Sequence, residues 1–96
     1  MLDYAKYVKQ MDDADPRLRE EAIEILHHAG IRDENIDFKL IDILKNDTHA
    51  INKLAAIRFI SESGDEKFKE TLIEFSSNPN LLLSKRATLG LGKIRA

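Results

Sequence analysis

The chain has 96 residues, 43% of them hydrophobic and 33% charged, with a formal net charge of −2 and no cysteine. A chain of this length makes one domain and, burying roughly 60–65% of its unfolded surface, folds without covalent staples. The missing cysteine excludes a disulfide framework and thiolate metal or redox chemistry. No run approaches the ~18 apolar residues of a membrane span, and the opening MLDYAKYVKQ lacks the apolar stretch of a signal peptide. The expectation is a soluble, cytoplasmic protein.

Apolar spacing predicts helices in every segment. In the first, Leu2, Tyr4, Tyr7, Val8 and Met11 share a face. In the second, Leu18, Ala22, Ile25, Leu26 and Ala29 do so, with Asp15 as N-cap, Pro16 at the first helical position and Gly30 past the end. The third uses Ile36, Leu40, Ile41 and Leu44. The fourth uses Ile51, Leu54, Ala55, Phe59 and Ile60 and stops at Gly64. The fifth follows Asp65 as N-cap with Phe68, Leu72, Ile73 and Phe75. The sixth starts near Asn78-Pro79 and uses Leu83, Ala87, Leu91 and Ile94. Breaks such as GIRDEN and SGDE are short, and short connections make antiparallel neighbours. The expected fold is therefore all-α, with six helices paired into three hairpins over residues 1–96.

The hairpins repeat one another. Sliding by 33 and then 32 residues aligns Tyr7, Leu40 and Leu72, then Val8, Ile41 and Ile73. The same shifts align Leu18, Ile51 and Leu83, then Ala22, Ala55 and Ala87, then Leu26, Phe59 and Leu91. An alanine in every repeat lets two helices cross closely. A hairpin that cannot bury its apolar face alone must stack on neighbours, which makes an α-α superhelix of repeats at about 1–30, 31–64 and 65–96.

Leu18-Arg19-x-x-Ala22 after Asp15-Pro16, and Leu83-x-x-x-Ala87-Thr88-Leu89-Gly90-Leu91-Gly92, resemble HEAT repeats of the short type found in phycobilisome lyases. The second repeat departs most, with Thr48-His49 in place of Asp-Pro and Asn52 in place of the arginine. The resemblance implies a solenoid whose second helices line a concave face, and it says little of function. Close helix packing, or an early helix end, accounts for Gly90 and Gly92, each of which costs a helix about 1 kcal/mol.

Little here suggests reaction chemistry. Gly90-x-Gly92 has no preceding strand and no third glycine, so it is not a dinucleotide fingerprint. Adjacent His27 and His28 point about 100° apart on a helix, and His49 lies in another turn with no acid at ligand spacing, so all three read as polar surface. Asp12, Asp13 and Asp15 begin like a calcium loop, but Arg17 stands where an oxygen ligand belongs and the glycine is missing. They read as caps and loop solvation. No serine has a base and orienter, so the expectation is no enzyme, no cofactor and no metal.

Charge is polarised along the chain. Residues 1–47 hold 12 acids and 7 bases, net −5; residues 48–96 hold 5 acids and 8 bases, net +3. On the concave face implied by the resemblance, equivalent positions form the rungs Glu20, Lys53, Lys85 and Glu21, Leu54, Arg86. A Glu20–Lys53 pair leaves Lys85 and Arg86 for another molecule. Arg58, aligned with Ile25 and Gly90, falls near the helix interface and either snorkels outward or meets a carboxylate. Lys53, Arg58, Lys85, Arg86 and Lys93 form the expected partner-binding set. Of Leu81, Leu82, Leu83, Leu89, Leu91 and Ile94, three face their own hairpin. The rest dock a partner or a second copy, or continue a longer solenoid.

The function expected is a non-catalytic protein-binding adaptor, scaffold or inhibitor of immunity type. Nucleic-acid binding through the basic third repeat is the alternative, opposed by overall acidity. A lyase-like, chromophore-handling role is the reading the resemblance adds.

Overall fold

The structure, a computed structural model, describes residues 3–95. Leu2, assigned by periodicity to the first helix, lies outside the described residues. Six helices follow in order: α1 (Tyr4–Gln10), α2 (Pro16–Ala29), α3 (Glu34–Asn46), α4 (Ala50–Ser63), α5 (Lys69–Ser76) and α6 (Leu81–Arg95). A single 3-10 turn, Glu66–Phe68, leads into α5. Among the described residues there is no strand, and no helix is long and apolar enough to cross a membrane.

Local chemistry sets most boundaries. Asp15 accepts a hydrogen bond from the Arg17 amide at 2.9 Å, and Pro16 opens α2. Asp33 accepts from the Ile36 amide at 2.8 Å and Asp65 from the Lys67 amide at 3.0 Å. Gly30 and Gly64 close α2 and α4 with φ of 68° and 67°, the left-handed conformation glycine adopts without strain. The cap of α6 is Asn80 rather than Asn78. The Asn80 side chain accepts from the Leu82 and Leu83 amides, whereas Asn78 accepts from the Asn80 amide and so folds the preceding turn.

Packing joins each odd helix to the even helix that follows it, and each even helix to the next even one. α1 lies on α2, α3 on α4 and α5 on α6, while α4 touches both α2 and α6. The body measures 36 × 27 × 17 Å. α4 is the hub, burying Asn52, Ala55, Ala56, Ile57, Phe59, Ile60 and Ser61. Ala22, Ala55 and Ala87 are all buried, as close crossing requires. The aligned set Leu18, Ile51, Leu83 does not behave as one. Leu83 enters the core, while Leu18 and Ile51, in the first turns of α2 and α4, stand out of it. Ile73 is likewise exposed on the outer side of α5.

The two interior glycines separate. A Cβ built on Gly90 falls 2.9 Å from Ser61 Oγ and 3.0 Å from both Leu72 Cδ1 and Ser61 Cα, so α6 meets α4 and α5 there at the limit of approach. Ser61 Oγ also donates to the Arg86 carbonyl at 2.9 Å, which fastens the same crossing. A Cβ on Gly92 meets nothing within 4 Å, so close packing does not explain that residue, and α6 continues past it. Gly90→Ala is expected to destabilise the fold by roughly 1–3 kcal/mol through overpacking. Gly92→Ala is expected to stabilise it by up to about 1 kcal/mol through helix propensity. Urea unfolding of the two variants checks the pair, and equal effects would contradict the crossing described.

Candidate functional site

The site is defined by which charges the fold consumes and which it leaves over. At the junction of α2 with α4 the Asp47 carboxylate is buried. Arg19 Nε and Nη2 donate to its two oxygens at 2.9 and 3.2 Å, the His49 amide donates at 2.8 Å, and Asn52 Nδ2 at 3.2 Å. Asn52 Nδ2 also reaches the Pro16 carbonyl at 3.1 Å, and Arg19 Nη1 the Asp13 carbonyl at 2.7 Å. Burial pushes the Asp47 carboxyl up. The Arg19 guanidinium, the His49 amide and Asn52 together outweigh it and hold the group at about 2. These contacts, rather than an Asp-Pro pair, organise the start of α4, whose own cap residue His49 makes no side-chain cap bond.

A second buried carboxylate, Asp37 on α3, organises the approach to α5. Arg32 Nε lies 3.0 Å from Asp37 Oδ1, and Lys67 Nζ donates to Asp37 Oδ2 at 2.9 Å. Arg32 also bonds Asp65 and sits 5.4 Å from the Phe68 ring centre. The Asp37 hydrogen bond holds the Lys67 ammonium above its ordinary value, and the Lys67 amide is the main cause that lowers Asp65. Lys39 pairs with Asp12, and Lys45 lies 3.5 Å from Glu74.

Neither Asp37 nor Asp47 stood out in the sequence reading, although each leaves a trace in the sequence. Asp47 caps the C-terminus of α3, where the helix dipole disfavours an acid. Asp37 falls between Ile36 and Leu40, on the buried face of α3.

The bases of α4 and α6 are treated differently. Among the described residues, Lys53, Arg58, Lys85, Arg86 and Lys93 make no ion pair. The expected Glu20–Lys53 pair does not form. Arg58 meets no carboxylate either, and its Nε is buried without a partner among the described residues. Lys53, Arg58 and Arg86 are half-buried, whereas Lys85 and Lys93 are exposed.

These bases alternate with exposed apolar side chains. Leu82, Lys85, Leu89 and Lys93 follow one another at helical spacing along α6, with Leu82 61% and Leu89 57% exposed. Ile51, Leu54 and Arg58 do the same along α4, with Ile51 62% exposed. The corresponding stripe of α2 is acidic, with Glu20 and Glu24 half-buried. At the far end, Lys93 borders an open groove of about 440 Å³ with His27, Arg32, Phe59 and Glu62.

The three histidines are not equivalent polar surface. His27 is half-buried, stacks on Phe59 with ring centres 4.6 Å apart, and lies 3.5 Å from Glu62. His28 lies beside Glu24 and His49 beside Asp47.

The Asp47 junction generates a pH prediction. Its folded value of about 2 lies below the ordinary 3.8, so the unfolded chain holds the proton more tightly. The stability from ionised Asp47, about 2 kcal/mol, is fully present above the ordinary value and is lost as pH falls toward 2. Asp47→Asn should lower stability at neutral pH by roughly 3–5 kcal/mol, the cost of leaving Arg19 without its buried partner. It should also flatten the acid limb of the unfolding profile, measured by urea midpoints from pH 7 to the acid range.

Compared with known proteins, the chain matches no protein-family model and no curated protein.

Proposed function

We propose that this chain is a non-catalytic protein-binding module, built as a short α-solenoid of three HEAT-like hairpins, which docks an acidic partner surface on α4 and α6. The observation that carries this reading is the interleaving of bases that make no ion pair with exposed apolar residues. On α6, Leu82 and Leu89 alternate with Lys85 and Lys93, and that helix contains no acid. Exposed leucines lose their hydration when a partner covers them, at about 25 cal/mol per Å² buried, while the bases select an acidic counterpart and raise the rate of encounter. Arg58 adds to this reading. A guanidinium nitrogen buried without a partner costs about 1–3 kcal/mol, and no acid among the described residues of the free protein offsets that cost.

The interleaved leucines favour a protein over a nucleic acid, because phosphate recognition needs a broad basic footprint and this chain is acidic overall. The acidic stripe of α2 would set the orientation of the partner by turning away its acidic end.

Affinity capture from the native lysate tests the reading, with wild type compared against Lys53→Glu/Lys85→Glu/Arg86→Glu. A stoichiometric protein held by wild type and lost by the folded triple variant is expected. A partner retained equally by both would move the site off this face, and capture of nucleic acid alone would replace the reading.

A further inference from the structure

The two outer faces of the helix array carry the same pattern with opposite charge. On α2, Leu18, Glu21 and Ile25 form a stripe on the side away from Arg19 and His27, the residues that meet the α4 region. Leu18 and Glu21 are exposed and Ile25 half-buried. On α6, Leu81, Lys85, Thr88 and Gly92 form a stripe on the side away from the Arg86–Gly90 crossing with α4, and all four are exposed, Leu81 to 80%. α5 and the turn before it extend that edge with Ile73, Lys69 and Glu66, which line a pocket of about 460 Å³ with Thr88, Leu91 and Ile94.

We propose that these two faces bind each other, so that a second copy of this chain stacks head to tail, its α2 stripe seated on the α5–α6 edge of the first. Charge complementarity favours this occupant. The α2 stripe carries Glu21, with Glu20 and Glu24 on the neighbouring inner stripe, and the receiving edge carries Lys69 and Lys85 beside the acid Glu66. The halves of the chain bear −5 and +3, so successive copies attract in this order.

A two-fold contact between α6 edges is disfavoured. It would set Lys85 and Lys93 against their own copies, with no acid anywhere in α6 to offset them. The packing itself has a precedent inside the molecule, where α4 already joins α2 on one side and α6 on the other. The contact is heterologous, so each copy keeps a free face and assembly continues until a ring closes or the supply of chain ends. It uses the outer edge, which shares Lys85 with the inner stripes of α4 and α6 used by the function proposed above.

Sedimentation of the purified chain from micromolar to millimolar concentration tests the proposal. The mean mass should rise past that of a dimer and fall again with added salt. Leu81→Asp should abolish the rise. Glu21→Lys/Glu24→Lys and Lys69→Glu/Lys85→Glu should each stay monomeric alone, and their equimolar mixture should associate again, which also shows that both fold. A wild type that remains monomeric at millimolar concentration overturns the proposal. So does a mass that stops at a dimer, or an association that these substitutions leave unchanged. Because the readout is the mass of the pure chain, it is separate from capture of a different protein.

Discussion

One buried carboxylate holds the array together at its tightest electrostatic point. Asp47 sits between α3 and α4, yet its ligands come from α2, from the turn itself and from α4. An ion taken out of water costs several kcal/mol unless it finds excellent partners. Asp47 finds a two-point guanidinium and two further donors, so the register between the first two helix pairs cannot slip without stranding a charge. Asp37 repeats the device one junction later with Arg32 and Lys67. At the α4–α6 junction no carboxylate takes part among the described residues. Gly90, Ala87 and the Ser61 hydroxyl let the helices meet at short range, and packing replaces electrostatics.

That change of device leaves an imbalance of charge. Arg19, Arg32, Lys39 and Lys67 are consumed by acids of neighbouring elements. Among the described residues Lys53, Arg58, Lys85, Arg86 and Lys93 pair with no acid, although Glu62 lines the groove beside Lys93, and exposed apolar side chains stand among them. The buried Nε of Arg58, without a partner among the described residues, costs the isolated chain stability. Among the described residues Lys6, Lys9 and Lys69 make no ion pair either, so what sets α4 and α6 apart is the exposed apolar side chains that stand among their bases. The function proposed for the protein follows from that asymmetry.

Much of the fold was legible because it is written in local chemistry. Asp15-Pro16, Asp65, Gly30 and Gly64 mark helix ends through capping and through left-handed backbone, both properties of a few adjacent residues. Ala22, Ala55 and Ala87, aligned in the sequence, are all buried. The misreadings share a cause, which is distance in sequence. Asp47 and Arg19 are 28 residues apart and Asp37 and Lys67 are 30, so nothing beside either acid reveals that it is buried. α4 is apolar on several sides and is buried from three, so its periodicity did not mark Ile57 as core or Ile51 as exposed. Gly90 and Gly92 look alike in sequence, and only the position of Ser61 separates them. For the candidate site, the bases were legible as a set, but their freedom from acids depends on where Glu20 and Glu62 come to rest.

The account's central claim is that the bases of α4 and α6 are kept for a partner and not for the fold. Urea unfolding of Arg58→Met tests it most directly, because methionine keeps the apolar volume of the stem and removes the unsatisfied guanidinium. The account predicts a midpoint equal to or above that of wild type. A loss of stability above about 1 kcal/mol, beyond the scatter of substitutions outside structural features, would show that the guanidinium supports the fold and would contradict the account.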